Sequence, residues 1–229
     1  MNTCFSSGPI GLLLIILFVP GSSPLIFCWG TILVEDKLNP TFDCPADIDV
    51  TCNGATAPAI TGEPTLTSCE ASVTIEFEDD YTDFGCAGDP SDSSVRARII
   101  RTWTVTDESG NSDQCVQTIN ILKPALADVV FPNDLDEFNG DALDCGAVAA
   151  NPALTGPDYT GYPQYVNQDV TPGGLCAFSI GYVDSELEIC TGGSSYEIIR
   201  TWTVRNMCEP LVPGVNPVYH IQSIKVLDT

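Results

Sequence analysis

The sequence predicts an all-β chain of two tandem β-sandwich domains, and three observations predict it. The heptapeptide Ile-Ile-Arg-Thr-Trp-Thr-Val stands at 99–105 and again at 198–204. The blocks around it recur in the same order, so the chain is built on a repeat of roughly 100 residues, near the commonest domain size. Each recurring block carries strand patterning, and no amphipathic helix is legible after the first thirty residues.

The elements follow in order. Residues 1–30 form an apolar leader. Its run GLLLIILFV at 11–19 has the length of a signal-peptide core, with Gly21, Ser22 and Ser23 behind it, but no Lys or Arg precedes it and no Ala-x-Ala site follows. A single bilayer span over 8–34, interrupted by Pro20 and Pro24, is a second reading. The ragged start of a gene fragment is a third. The first repeat is assigned to 31–124 and the second to 125–229.

Within the repeats, CPADID at 44–49 matches FPNDLD at 131–136. CNGATAPAITGEP at 52–64 matches CGAVAANPALTGPDY at 145–159. SVTIEFEDDYTDFGC at 72–86 matches SIGYVDSELEIC at 179–190, and QTINILKP at 117–124 matches IQSIKVLDT at 221–229. In the third block Val73, Ile75 and Phe77 alternate onto one strand face. In the heptapeptide Trp103 and Val105 share a face with Arg101, while Thr102 and Thr104 take the other. TDESGNSD at 106–113 supplies Asp, Gly and Asn for a hairpin turn. The 19 glycines and 17 prolines punctuate the strands. GTILVEDKLNPTFDCP at 30–45 resembles QTINILKPALADVVFP at 117–132, so the start reads as the last strand of an upstream unit and the chain as a piece of a longer array.

Composition bounds the function. Eight basic residues face 31 acidic ones, a net charge of −23. Binding to phosphate backbones needs Lys/Arg stripes, so nucleic acid is excluded as a partner, and anionic membrane surfaces are disfavoured by the same sign. A membrane partner enters only through the leader. Eleven scattered cysteines without a Cys-x-x-Cys pair, beside one histidine, point to disulfides in an oxidising compartment rather than to zinc.

Comparing the copies suggests connectivity. Cys44 and Cys115 are both missing from the second copy, which pairs them. Cys69 and Cys86 recur as Cys176 and Cys190, giving one bond per copy, each contributing about 3 kcal/mol on the chain-entropy model. Cys145 and Cys208 remain as a fourth pair. Cys52 is left odd, to join Cys4, Cys28 or another chain.

Trp103 and Trp202 are the expected core anchors. For Arg101 and Arg200 two roles stand side by side. Each guanidinium stacks near its indole and pairs with a carboxylate, or each lies at the rim with its stem over the core edge.

The string CPADIDVTC…TG.PT…C…IIRTWTVTDESGNSDQCVQTINIL resembles the Cys-bearing, immunoglobulin-like repeats of very large secreted surface proteins. These occur in adhesins of gliding bacteria and in algal proteins that build mastigonemes, and they are similar in style to HYR-type modules. The likeness covers 32–229. It implies two tandem immunoglobulin-like β-sandwiches in an extracellular, cell-surface setting, with other repeat units or copies of a surface assembly as partners. Where such repeats often carry Asp-x-Cys-Gly-Asn, this chain has Asp107-Glu108-Ser109-Gly110-Asn111, and the second copy loses the Gly-Asn turn.

Three function classes compete. An enzyme needs a nucleophile with its base, a carboxylate pair in a cleft or a metal centre. His220 is the lone histidine, and no nucleophile motif surrounds any serine, so no catalytic activity is expected. A calcium-binding recognition module for a glycan or protein is the second class. Asp79, Asp80 and Asp83 are its candidate Ca²⁺ ligands, drawn from an acidic run that offers hard oxygen donors. A structural or adhesive repeat segment is the third class and fits the repeats, disulfides and acidity best.

Overall fold

The computed structural model describes residues 36–67, 72–139, 141–188 and 195–228. The leader, Cys4, Cys28, Cys69 and Cys190 lie outside the described residues. The fold is all-β, and the α-helices among the described residues are all short, of four to six residues. The chain makes two compact units. One draws on 36–48, 57–67, 72–80 and 100–119, the other on 49–56, 81–99 and the described residues from 120 onward.

The first copy contains β1 (Phe42–Asp43), β2 (Ile48–Thr51), the one-turn helix α1 (Pro58–Thr61), β3 (Thr65–Leu66), β4 (Val73–Asp83), β5 (Val95–Asp107) and β6 (Ser112–Leu122). β1 pairs with β3, and the longer strands make a sheet in the order β2-β6-β5-β4. β5 alternates buried and half-buried residues along its whole length. This is the signature of an antiparallel strand with one face on a core and the other toward water. In the first unit that face buries Trp103, Val105 and Ile119.

The sequence motif TDESGNSD closes as expected. β5 ends at Asp107 and β6 begins at Ser112. The Asp107 carboxylate accepts from the Asn111 backbone N–H and side-chain amide, and Gly110 takes φ +86°, a value that favours glycine. The run Val73–Phe77 is less buried than its alternation suggests. β4 is a terminal strand of its sheet, which leaves Ile75 and Phe77 partly open to solvent. Its acidic residues suit that place, because charge on an edge strand discourages pairing with a foreign strand.

The second copy contains β7 (Val129–Val130), β8 (Leu143–Asp144), α2 (Cys145–Ala150), α3 (Pro157–Thr160), β9 (Gln164–Tyr165), β10 (Gln168–Asp169), β11 (Phe178–Glu188), β12 (Tyr196–Asn206) and β13 (Val218–Leu227). The long strands run in the order β11-β12-β13-β8, and β10-β9-β7 form a small sheet. β11 and β12 pair antiparallel with Tyr182 opposite Trp202 and Asp184 opposite Arg200. Ile198, Trp202, Val204, Ile224 and Val226 make the core of this copy. The two copies thus repeat one plan. β4, β5 and β6 match β11, β12 and β13, and the pair β1/β3 matches β7/β9.

Candidate functional site: a duplicated buried polar network

The heptapeptide arginines are core residues. Arg101 and Arg200 are 2 % and 1 % exposed, so the rim alternative gives way to the buried, paired one. The reason is the strand period. Positions 101, 103 and 105 share the inward face of β5, so an arginine two residues before a buried tryptophan must enter the core with it.

A buried guanidinium needs a partner for each donor, and both copies provide it in the same way. Arg101 donates from Nε and Nη2 to the two oxygens of Asp79, at 2.7 and 2.8 Å, and from Nη1 to Thr61 Oγ1 at 2.9 Å. Arg200 donates from Nε and Nη2 to Asp184, both at 2.8 Å, and from Nη1 to Thr160 Oγ1 at 2.7 Å. Its Nη2 also reaches the Thr155 carbonyl at 2.8 Å. Each guanidinium lies over an aromatic ring of the neighbouring strand, Phe77 or Tyr182, at 4.5 Å from the centroid, and more distantly over its own tryptophan. The flat, delocalised cation suits both contacts at once.

The tryptophans complete the network. Trp103 donates from Nε1 to Gln117 Oε1, and Trp202 to Gln222 Oε1. Each glutamine is fully buried. Its amide donates to two backbone carbonyls, of Ala46 and Thr61 in the first copy and of Asn133 and Thr160 in the second. Three strands, a one-turn helix and an incoming loop are therefore tied together by one Arg-Asp-Thr and Trp-Gln constellation in each copy.

Sequence reasoning missed the threonine and glutamine parts. The alignment above set Thr61-Gly62 against Thr155-Gly156. The structure equates Thr61-Gly62 with Thr160-Gly161, five residues later. Both glycines have strongly positive φ, +98° and +92°, and a Cβ on either would meet a proline Cβ, of Pro45 or Pro132. The signal was present: Pro-x-x-Thr-Gly-x-Pro stands at 58–64 and at 157–163, at the same offset as the heptapeptides.

The cysteines divide between agreement and correction. Cys44 is bonded to Cys115, as the paired loss predicts. In the second copy Phe131 and His220 occupy those places and stack at 4.8 Å with 17° between their planes, so an aromatic contact replaces the crosslink. The lone histidine is thus a packing residue of the second copy. The other assignments fail. Cys52 is not odd but joins Cys176, and Cys86 joins Cys208. These bonds displace the expected Cys69–Cys86, Cys176–Cys190 and Cys145–Cys208 pairs. Cys145 Sγ instead lies 3.7 Å from Asp228 Oδ1. Both corrected bonds lie inside the second unit, and each joins a residue of the first sequence copy to one of the second. Comparison of copies misled here because it presumes that each copy closes its own bonds. The same unit adds polar links of this kind, from Asn53 Nδ2 to the Tyr165 carbonyl and from Arg96 Nε to the Leu175 carbonyl.

The calcium triad is not assembled. Asp79 is held by Arg101 and Asp83 by Arg96, at 2.9 Å, and strand alternation sends Asp80 to the opposite face of β4. Among the described residues no group of three or more His, Cys, Asp or Glu side chains is placed to hold a metal ion.

Elsewhere carboxylates serve turns. Asp89 has its pKa lowered, first by the Ser91 hydroxyl and backbone N–H and then by Arg98. Asp107 has its pKa lowered chiefly by the Asn111 side chain. Among the described residues no helix is long and apolar enough to cross a membrane. The three disulfides among the described residues fit an oxidising environment. No family model matches the chain, and no curated protein sequence matches it.

Proposed function

We propose that the chain is a structural or adhesive repeat segment of an extracellular cell-surface or filament protein, with no catalytic role. The observation that carries this reading is the overlap of the disulfides. The loops Cys44–Cys115, Cys52–Cys176 and Cys86–Cys208 interlock, so no stretch between Cys44 and Cys208 is left without a crosslink across it. Crosslinks so arranged limit how far a chain lengthens under tension. The residues between Cys44 and Cys208 would, if fully extended, span roughly 550 Å at about 3.3–3.6 Å per residue. The oxidised chain can give up only a minor part of that length. Buried ion pairs at the centre of each copy and acidic edge strands support the same reading. They fix one packing and keep tandem repeats from joining edge to edge. The resemblance of the heptapeptide blocks to repeats of secreted surface proteins agrees with it.

Single-molecule pulling between the chain ends tests the proposal. Oxidised protein should show short extensions, and protein reduced with a thiol should release several times more length. Equal lengths in the two states would refute the spacer reading.

A further inference from the structure

The two copies share a scaffold, so the positions where they differ mark what the second has gained. Around α3 and β9 the second copy forms a cleft of about 450 Å³, within the size range of small-ligand sites. Its wall includes Phe131 and Tyr162 as half-buried aromatic faces and Asn133, Asp158, Gln164 and Asp169 as exposed polar groups. The corresponding positions of the first copy are Cys44 and Glu63 for the aromatics and Ala46, Ala59 and Thr65 for Asn133, Asp158 and Gln164. The first copy folds by the same network without this set. Phe131 serves the stack on His220 that replaces the crosslink, and the rest of the set is not demanded by the fold.

The polar groups are already oriented. Tyr162 Oη donates to Asp158 Oδ1 at 3.1 Å, and Gln164 Nε2 donates to Asp169 Oδ1 at 3.1 Å. Carboxylate and amide oxygens that remain open toward the cleft accept hydrogen bonds from hydroxyls, and ring faces take up the C–H faces of a pyranose. No Lys or Arg lines the cleft, and the chain carries −23, so an anionic ligand is repelled.

We propose that this cleft is a binding site for a neutral oligosaccharide, with Tyr162 as the stacking platform and Asp158, Gln164 and Asp169 as hydroxyl acceptors and donors. The site goes beyond the spacer reading and stands apart from it, since pulling experiments do not depend on a ligand.

The test uses the whole chain and neutral probes, namely gluco-, manno- and chito-pentaose, by calorimetry and by protein-observed NMR. A sulfated polysaccharide and an oligolysine are controls. Binding of at least one neutral pentasaccharide is expected at millimolar concentration. It should weaken about tenfold or more in Gln164→Ala and in Asp169→Ala, whose exposed side chains leave the melting temperature unchanged. Tyr162→Glu, which installs the first copy's residue, should abolish it. The proposal is overturned if no neutral pentasaccharide binds, if binding survives these substitutions unaltered, or if oligolysine alone occupies the cleft.

Discussion

Removing the Asp184 carboxylate tests the buried network most directly. In Asp184→Ala the Arg200 guanidinium, 1 % exposed in the wild type, loses two charge-assisted bonds of 2.8 Å and keeps Thr160 Oγ1 and the Thr155 carbonyl. Breaking a buried ion pair from one side costs about 3–5 kcal/mol. The Asp184 side chain is itself 33 % exposed, so water can enter the vacated place, and the lower end, about 3 kcal/mol, is the expected loss. Arg200→Met removes the charge and leaves a partly solvated carboxylate. It also strands two neutral acceptors, so it should cost less than Asp184→Ala. The double variant should be more stable than the sum of the single losses predicts, with a coupling of at least about 1.5 kcal/mol, because the second change removes the uncompensated charge that the first created. Urea melts of the four proteins measure this. At about 2–4 °C per kcal/mol for a chain this long, Asp184→Ala should also lower Tm by about 6–12 °C. A loss below about 1 kcal/mol with additive single variants would place the pair among ordinary surface salt bridges and refute the argument.

Trp103→Ala, which empties a core site and strands Gln117 Oε1, should cost about 3–5 kcal/mol, while Trp103→Phe should cost less; equal melts for wild type and Trp103→Ala would show the indole to be dispensable. Peptide mapping without reductant should recover 44–115, 52–176 and 86–208, and the double variant Cys44→Ala/Cys115→Ala should lose about 4 kcal/mol through its 71-residue separation; recovery of 69–86 would reverse the connectivity argued above. Asp89 and Asp107 have depressed folded pKa values, so their stabilisation is present above the unfolded value near 4 and is lost as pH falls through the folded one. Tm should therefore drop below about pH 4, less steeply in Asp107→Asn, and a Tm flat down to about pH 2 would contradict the assignment. Millimolar Ca²⁺ should leave Tm unchanged, since Asp79 and Asp83 are held by arginines; a rise that Asp80→Asn removes would restore the calcium reading.

The duplicated heptapeptide, its strand period and the hairpin turn after it were legible because they are local. An alternation of two residues fixes which side chains share a face, and Asp-x-x-Gly-Asn sets its own turn, whatever the rest of the chain does. The paired loss of Cys44 and Cys115 was legible for a related reason: a bond that links matched elements within one copy disappears as a unit. Edge or centre is different. The order β2-β6-β5-β4 makes the acidic β4 a terminal strand, and strand order depends on pairings between residues far apart in sequence. That placement turned a supposed calcium run into an edge guarded by charge, with Asp79 drawn to Arg101. Thr61 and Thr160 were marked by the Pro-x-x-Thr-Gly-x-Pro repeat, but the longer second-copy loop offered Thr155-Gly156 as a competing match until the fold equated them. The sequence by itself determined the all-β character, the repeat and the identity of the core anchors, since each follows from short-range pattern. Only the tertiary structure decided that Cys52 meets Cys176 and Cys86 meets Cys208. A cysteine carries no mark of its partner, and proximity across more than a hundred residues is set by how the folded strands bring the chain together.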